Sequence, residues 1–150
     1  MQTFLPYNDF VKSARTLDYK RLGKQRLEAI QILNAMYDPD NSWHNHVAVR
    51  MWQGYDDCLK VYANWFITEW IRQGFRNTMR YFPIPDDYPI PIWLLDERLP
   101  LSHRCNLMRK NPNFYSKFHW KQIDIRAPYW WPVPLKDPKK QEEMIKCWGE

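Results

Sequence analysis

The chain has no Cys-x-x-Cys pair and no Cys/His cluster; Cys58, Cys105 and Cys147 stand alone and are odd in number. That excludes a disulfide scaffold and a structural zinc site, and suits a reducing, cytoplasmic setting. No run of about 18 apolar residues occurs and no charged leader with an apolar core opens the sequence, so no membrane span or secretory signal is expected. Phosphate-binding Gly-rich loops, dinucleotide fingerprints, nucleophile elbows and zincin motifs are missing. There is no internal repeat, no low-complexity tract and no convincing hairpin signal. Acids are scarce on the faces expected to be buried, with Glu28 and Glu69 the interior-edge candidates. A two-carboxylate glycosidase arrangement therefore has little support.

What is present is aromatic and basic. The 150 residues are enough for a single domain, 1–150, with a real core. Aromatics make up 17%, including 9 Trp and 9 Tyr, more than one core of this size consumes. Lys and Arg total 22 against 17 acids, a formal charge of +5. Cations neutralise phosphates and ring faces stack on bases, so this surface suits nucleic acid. A basic protein without such a partner is the alternative.

Periodicity predicts an all-α, compact helical bundle with long Pro- and aromatic-rich crossing segments. Asn8-Asp9 caps a short helix reaching Ser13 or Ala14. Asp18 caps the next, which runs to about Met36. Asp38-Pro39-Asp40-Asn41-Ser42 is a turn cluster. A second long helix is expected from Val47 to Gln73, with Trp52, Tyr55, Leu59, Tyr62, Phe66 and Trp70 on one stripe and Gly74 stopping it. Pro83, Pro85, Pro89 and Pro91 make the stretch from Tyr81 an extended crossing. Leu101 to Lys110 reads as a helix started by Pro100. A turn and short helical piece follow to Trp120, then an extended Pro128–Pro134 stretch and a charged helix from Asp137 to about Cys147.

The most informative element is the Asp18–Met36 helix. Leu22, Ala29, Ile32, Leu33 and Met36 share its apolar face, yet Gln25 falls inside that face and Arg26 on its border. Lys24 and Glu28 form an i,i+4 pair on the adjoining edge, with Arg21 beside them. Polar groups taken out of water need a partner or a ligand, so this helix carries an internal network or lines a site. Gly23 costs about 1 kcal/mol relative to Ala, which implies close packing or ligand approach. One carboxylate beside cations is a salt bridge, a general base, or a stabiliser of developing positive charge.

Two further constellations stand out. His44-Asn45-His46 is the only close His pair, but no third ligand lies at metal-binding spacing, so no metal is expected. One His caps the following helix or bonds internally, or else His46 meets an anion at that helix terminus. From Arg109 to Lys121 cations alternate with rings, the pattern of a surface tracking a phosphate backbone; a buried aromatic turn with a solvated rim is the alternative.

These blocks together resemble the pyrimidine dimer DNA glycosylases of the bacteriophage endonuclease V type, above all an uncharacterised bacterial branch carrying Leu22-Gly23-Lys24-Gln25-Arg26-x-Glu28-Ala29. The family's first long helix carries an Arg and a catalytic Glu, most like Arg26 and Glu28 here. Its middle helix runs from His-Val to Arg-x-Gly-Phe, here His46-Val47 and Arg72-Gln73-Gly74-Phe75. A basic-Pro-x-aromatic-Tyr block corresponds to Lys110-Asn111-Pro112-Asn113-Phe114-Tyr115, continuing to Lys117 and Phe118. The resemblance implies a compact all-α monomer that binds damaged double-stranded DNA without metal or cofactor. It implies flipping of a nucleotide opposite the lesion, attack of the terminal α-amine on the sugar C1′, a Schiff base and strand nicking by β-elimination.

Carried onto this chain, the nucleophile is the Met1 amine, because bulky Gln2 disfavours methionine removal, and Glu28 or Gln25 stands beside it. Arg21, Lys24, Arg26, His46, Arg109, Lys110, Tyr115 and Lys117 are the expected DNA contacts. One departure is plain: Leu27 separates Arg26 from Glu28 where the family's pair is adjacent, and one residue turns a helical side chain by about 100°. A non-catalytic nucleic-acid-binding module and a small-molecule, nucleoside-like enzyme reusing the pocket remain the competing readings.

Overall fold

The computed structural model describes residues 1–150 and contains seven α-helices and no strand. Side-chain caps mark most helix starts. Asp9 accepts from Lys12 N and opens α1, Phe10–Thr16. Asp18 accepts from Arg21 N and opens α2, Tyr19–Tyr37. His46 Nδ1 accepts from Ala48 N and opens α3, Val47–Arg50. Asp137 accepts from Lys139 N before α7, Pro138–Trp148. Each cap satisfies one of the N–H groups that a helix start leaves bare.

The helix expected from Val47 to Gln73 is two helices. After α3 the chain turns, and Gly54 takes φ +82°, a left-handed geometry that side-chain-bearing residues rarely adopt. α4, Asp56–Arg72, starts beyond it, with Asp56 and Asp57 in the dipole-favoured first turn. The break turns Trp52 inward, where its Nε1 donates to Thr3 Oγ1 at 3.1 Å. Spacing of the rings misses the break because hydrophobic period does not register a single left-handed residue.

α5, Arg98–Lys110, begins three residues before the expected Leu101, and Pro100 sits in its first turn, where its missing N–H costs nothing. A 3-10 turn at Ile92–Leu95 was not expected from the sequence. α6, Pro112–Tyr115, is capped by Asn111 and runs into a 3-10 turn at Ser116–Phe118.

α2 packs against α4 as the central pair, α1 lies on α4, and α3 leans on α2. Leu22, Ala29 and Ile32 of α2 meet a core that includes Leu59, Tyr62 and Phe66 of α4, all fully buried. Each large apolar side chain withdrawn from water contributes roughly 1.5–3 kcal/mol. The Pro-rich segments cross the bundle in extended form and are held by side chains. The Asn64 amide pairs with both backbone groups of Phe82, at 2.8 and 2.9 Å, as a neighbouring strand would. Trp148 Nε1 holds Pro128 O at 2.8 Å. No helix is long and apolar enough to cross a membrane.

Gly23 serves close packing. A Cβ at this position would stand 2.8 Å from the Trp70 ring, which is clamped from its other neighbours by Arg26 at 4.2 Å and Phe75 at 4.3 Å. Gly23→Ala is therefore expected to lose about 1–3 kcal/mol from overpacking, outweighing a gain of about 1 kcal/mol in helix propensity. Urea denaturation measures it; a more stable variant would show that the Trp70 ring gives way freely.

Candidate functional site

Residues 2–5 are buried and belong to no helix or turn, and no strand lies beside them. Their backbone groups must find partners elsewhere, and side chains of α2, α4 and α5 supply them. Gln2 N donates to Glu28 Oε2 at 3.2 Å, Phe4 N to Gln25 Oε1 at 2.9 Å, and Leu5 N to His103 Nδ1 at 2.8 Å. Thr3 N donates to the Gln2 side chain at 2.9 Å. The Tyr62 hydroxyl proton lies between Phe4 O at 3.0 Å and Gln25 Oε1 at 2.9 Å. Gln25 Nε2 in turn donates to Glu28 Oε2 at 3.0 Å. The polar intrusion into the apolar face of α2 is thus a receptor for the N-terminal segment.

That receptor fixes where Met1 goes. Glu28, 8% exposed, binds the segment through Oε2 and faces Lys24 Nζ through Oε1 at 3.7 Å. Met1, Lys24 and Glu28 form a wall shared by two clefts. One, of about 420 Å³, is also lined by Lys20, Arg21, Lys110 and Tyr129. The other, of about 540 Å³, is closed by neutral amides and Trp43.

The first cleft is electropositive. Burial lowers the Lys110 pKa, and the positive charges of Arg21, Arg109 and Lys24 lower it further. Burial pushes the Tyr129 phenol up to about 12, against the pull of Arg109 and Arg21. Arg21 bonds Asp18 at 3.2 Å, which fixes its reach. Arg109 stands behind the cleft, its guanidinium 3.4 Å from Ile125 O and also bonded to Asn106. Like-charge crowding of this kind is relieved by an anion such as a phosphate.

Other expected contacts lie elsewhere. Arg26 is buried on the far side of α2, stacked on Trp70 and bonded to Asn77 at 2.8 Å, with its pKa lowered by burial. Two residues from Glu28, it faces away from the clefts. Tyr115 is fully buried and its hydroxyl bonds Asp18, so it braces the start of α2 and offers no ring to a base. Lys117 sits 3.9 Å over the Phe114 ring and lines neither cleft. His46 caps α3 and flanks the terminus: burial lowers its pKa, and the charge of the amino terminus lowers it further. His44 Nδ1 meets Ala35 O at 2.7 Å. No group of three His, Cys, Asp or Glu residues could hold a metal. Glu69 is saturated by Arg15, Arg72 and Gln73 and is structural.

Sequence reasoning missed Lys20 and Gln31, though their spacing from Lys24 puts them on its helix face. It also missed Tyr129 and His103, which reach the site across the fold without a local signal. His103 is fully buried and accepts from Leu5, so it must stay neutral; burial takes its pKa from 6.5 to about 3. The unfolded chain then binds the extra proton between those values, and stability present above pH 6.5 is lost as pH falls. The expected slope from this residue is about 1.4 kcal/mol per pH unit between pH 6 and 5. Denaturation midpoints across that range should flatten in His103→Gln; an equally steep decline in the variant assigns the acid sensitivity elsewhere.

A family model described as pyrimidine dimer DNA glycosylase matches residues 1–82. No curated protein matches, and no solved structure matches. The matched stretch holds the N-terminal segment and α1 to α4, hence Met1, Lys24, Gln25 and Glu28. Lys110 and Tyr129, on the opposite wall of the basic cleft, lie beyond it.

Proposed function

Because the chain belongs to the pyrimidine dimer DNA glycosylase family, we propose that it is a glycosylase with associated lyase activity, acting on damaged pyrimidines or abasic sites. Its substrate is double-stranded DNA bound by a monomer, in the cytoplasm at the nucleoid. The nucleophile is the Met1 α-amine and its partner is Glu28. One observation carries the reading: Met1 and Glu28 form the wall between two open clefts, and Gln2 N is bonded to that same carboxylate.

The neutral amine attacks the sugar C1′, the C1′–N bond to the base breaks, and the base departs with a proton. The departing base takes its proton from solvent; the amine sheds a proton to Glu28, which passes it to O4′ as the C1′–O4′ bond opens, and the restored carboxylate stabilises the positive iminium that results. Loss of a C2′ proton then breaks the C3′–O bond and releases the phosphate. Hydrolysis of the imine frees the terminus. Lys20, Arg21 and Lys110 hold the phosphates flanking the attacked sugar. Gln25 orients Glu28 and the terminal segment.

Lys24 is the rival nucleophile. Borohydride reduction on an abasic duplex, followed by digestion and mass mapping, is expected to place the adduct on Met1. An adduct on Lys24 overturns the assignment. The separation of Arg26 from Glu28 across α2 favours a second reading, a binding module without chemistry; absence of any adduct on damaged duplexes selects it.

A further inference from the structure

Three buried side-chain nitrogens donate to nothing within the protein: Gln2 Nε2, His103 Nε2 and Arg104 Nε. A buried donor left without an acceptor costs about 1–3 kcal/mol, so each calls for an explanation. Two of them face rings. His103 stands edge-on to Phe4 and Tyr129, at centroid distances of 5.9 and 5.7 Å. The Arg104 guanidinium lies 5.6 Å from the Tyr7 centroid and holds Pro6 O at 3.0 Å through another nitrogen. Gln2 alone of the three lines either cleft beside Met1, and it lines the basic one.

The Gln2 carboxamide is fixed. Its Oε1 accepts from Thr3 N at 2.9 Å, which settles the orientation, because a flipped amide would set two donors against each other. Its backbone N–H is held by Glu28 Oε2 at 3.2 Å. Both ends of the residue are thus anchored, and the N–H pair on Nε2 is left over at the floor of the cleft, in a residue only 6% exposed. Residue 2 follows the terminal amine directly, so these donors are tied to the nucleophile through one peptide unit. Met1 shares the wall, and its unbranched side chain can move aside at little cost.

The company of Gln2 sets the acceptor. Lys20, Arg21, Lys24 and Lys110 line the same cleft, which calls for phosphate oxygen. The cations attract both phosphates flanking the attacked sugar from the start. Only one of those phosphates changes charge as the strand is cut. In the elimination the C2′ proton passes to the Glu28 carboxylate and a C2′–C3′ double bond forms. The C3′–O bond breaks with its electron pair staying on the oxygen, and the 3′ phosphate goes from monoanion to dianion. Fixed donors in a desolvated place act most strongly where charge develops. We infer that the Gln2 carboxamide N–H donates to the bridging O3′ of the departing phosphate, which makes Gln2 a catalytic residue of strand nicking and not of imine formation. This rests on the lyase reading and adds a residue to its elimination step alone.

Single-turnover kinetics on an abasic duplex separate the two steps: borohydride trapping reads imine formation, and strand cleavage reads elimination. Gln2→Glu keeps the oxygen that Thr3 N needs and removes the donors; Gln2→Met removes both without adding charge. Each keeps a bulky second residue, so Met1 is retained. In both, nicking is expected to slow by about tenfold to a hundredfold, the scale of a lost oxyanion donor, while trapping stays within about threefold of the parent. Trapping at that level also reports a folded protein with a seated terminus. Sulfur in place of the bridging O3′ is a leaving atom that needs little stabilisation, and it should bring both variants back to within about threefold of the parent. Nicking that keeps its rate in both variants overturns the proposal. So does trapping that falls as far as nicking in both, or slowed nicking that sulfur does not rescue, which moves the donor to the 5′ phosphate or to general anchoring. A parent that forms no adduct overturns the lyase reading and this inference with it, whereas normal trapping with unaffected nicking removes the role of Gln2 alone.

Discussion

Acetylating the amino terminus, or extending it by a residue or two, is expected to cut borohydride-trapped adduct on abasic DNA by about a hundredfold. An α-amine has an ordinary pKa of roughly 7.7–8.0 and is partly neutral near pH 7, whereas an ordinary lysine is neutral about once in a thousand molecules. The loss of the terminal amine is therefore not expected to be made good by Lys24, which is exposed and paired with Glu28 at 3.7 Å. The fold should survive, because the segment is held from Gln2 onward and Met1 contributes no bond to that ledger. Circular dichroism of the blocked protein checks this. Adduct that persists after blocking and disappears in Lys24→Ala makes the lysine the nucleophile.

Glu28→Gln is expected to slow strand nicking by about 10²–10⁴, the usual worth of a positioned acid–base group. The exchange keeps shape, and the amide oxygen can still accept from Gln2 N, so the N-terminal segment stays seated. What disappears is the negative charge next to the amine and the site to which its proton goes. The Lys24 pair also disappears, at little cost in stability for so exposed a partner. Single-turnover nicking with an abasic duplex separates chemistry from binding. A rate within threefold of the parent would reduce Glu28 to a receptor for the terminal segment.

Much of this was legible in the sequence because the decisive helix is local. Asp18 as cap, the apolar stripe of Leu22, Ala29 and Ile32, and the odd placement of Gln25 and Glu28 follow from period alone. The all-α class and the packing of α2 on the Asp56–Arg72 helix followed from two strong stripes. Arg26 and Tyr115 were misplaced for one physical reason. A basic or aromatic residue in a motif looks the same whether it faces solvent or a neighbour, and Trp70 and Asp18 claimed them. Gly54 was invisible to period, so one helix was expected where there are two. The basic cleft was only half legible, since Tyr129 joins Lys24 through the fold, not through spacing.

The ledger that seats residues 2–5 also orders events in time. Leu5 leaves the ribosome well before its backbone partner His103, 98 positions further along the chain. Until α5 exists, the N–H groups of the opening segment have no complete set of acceptors, and the segment has no reason to leave water. Closing so long a loop carries a large entropy cost that only late, native contacts repay. The terminus is therefore seated at the end of folding, after the α2–α4 pair has formed around the space it will fill. A nascent or truncated chain holds the same amine and the same Glu28 but not their juxtaposition. On the proposed mechanism the reactive pair would be armed only in a finished molecule, which would tie any nicking of DNA to completion of the fold.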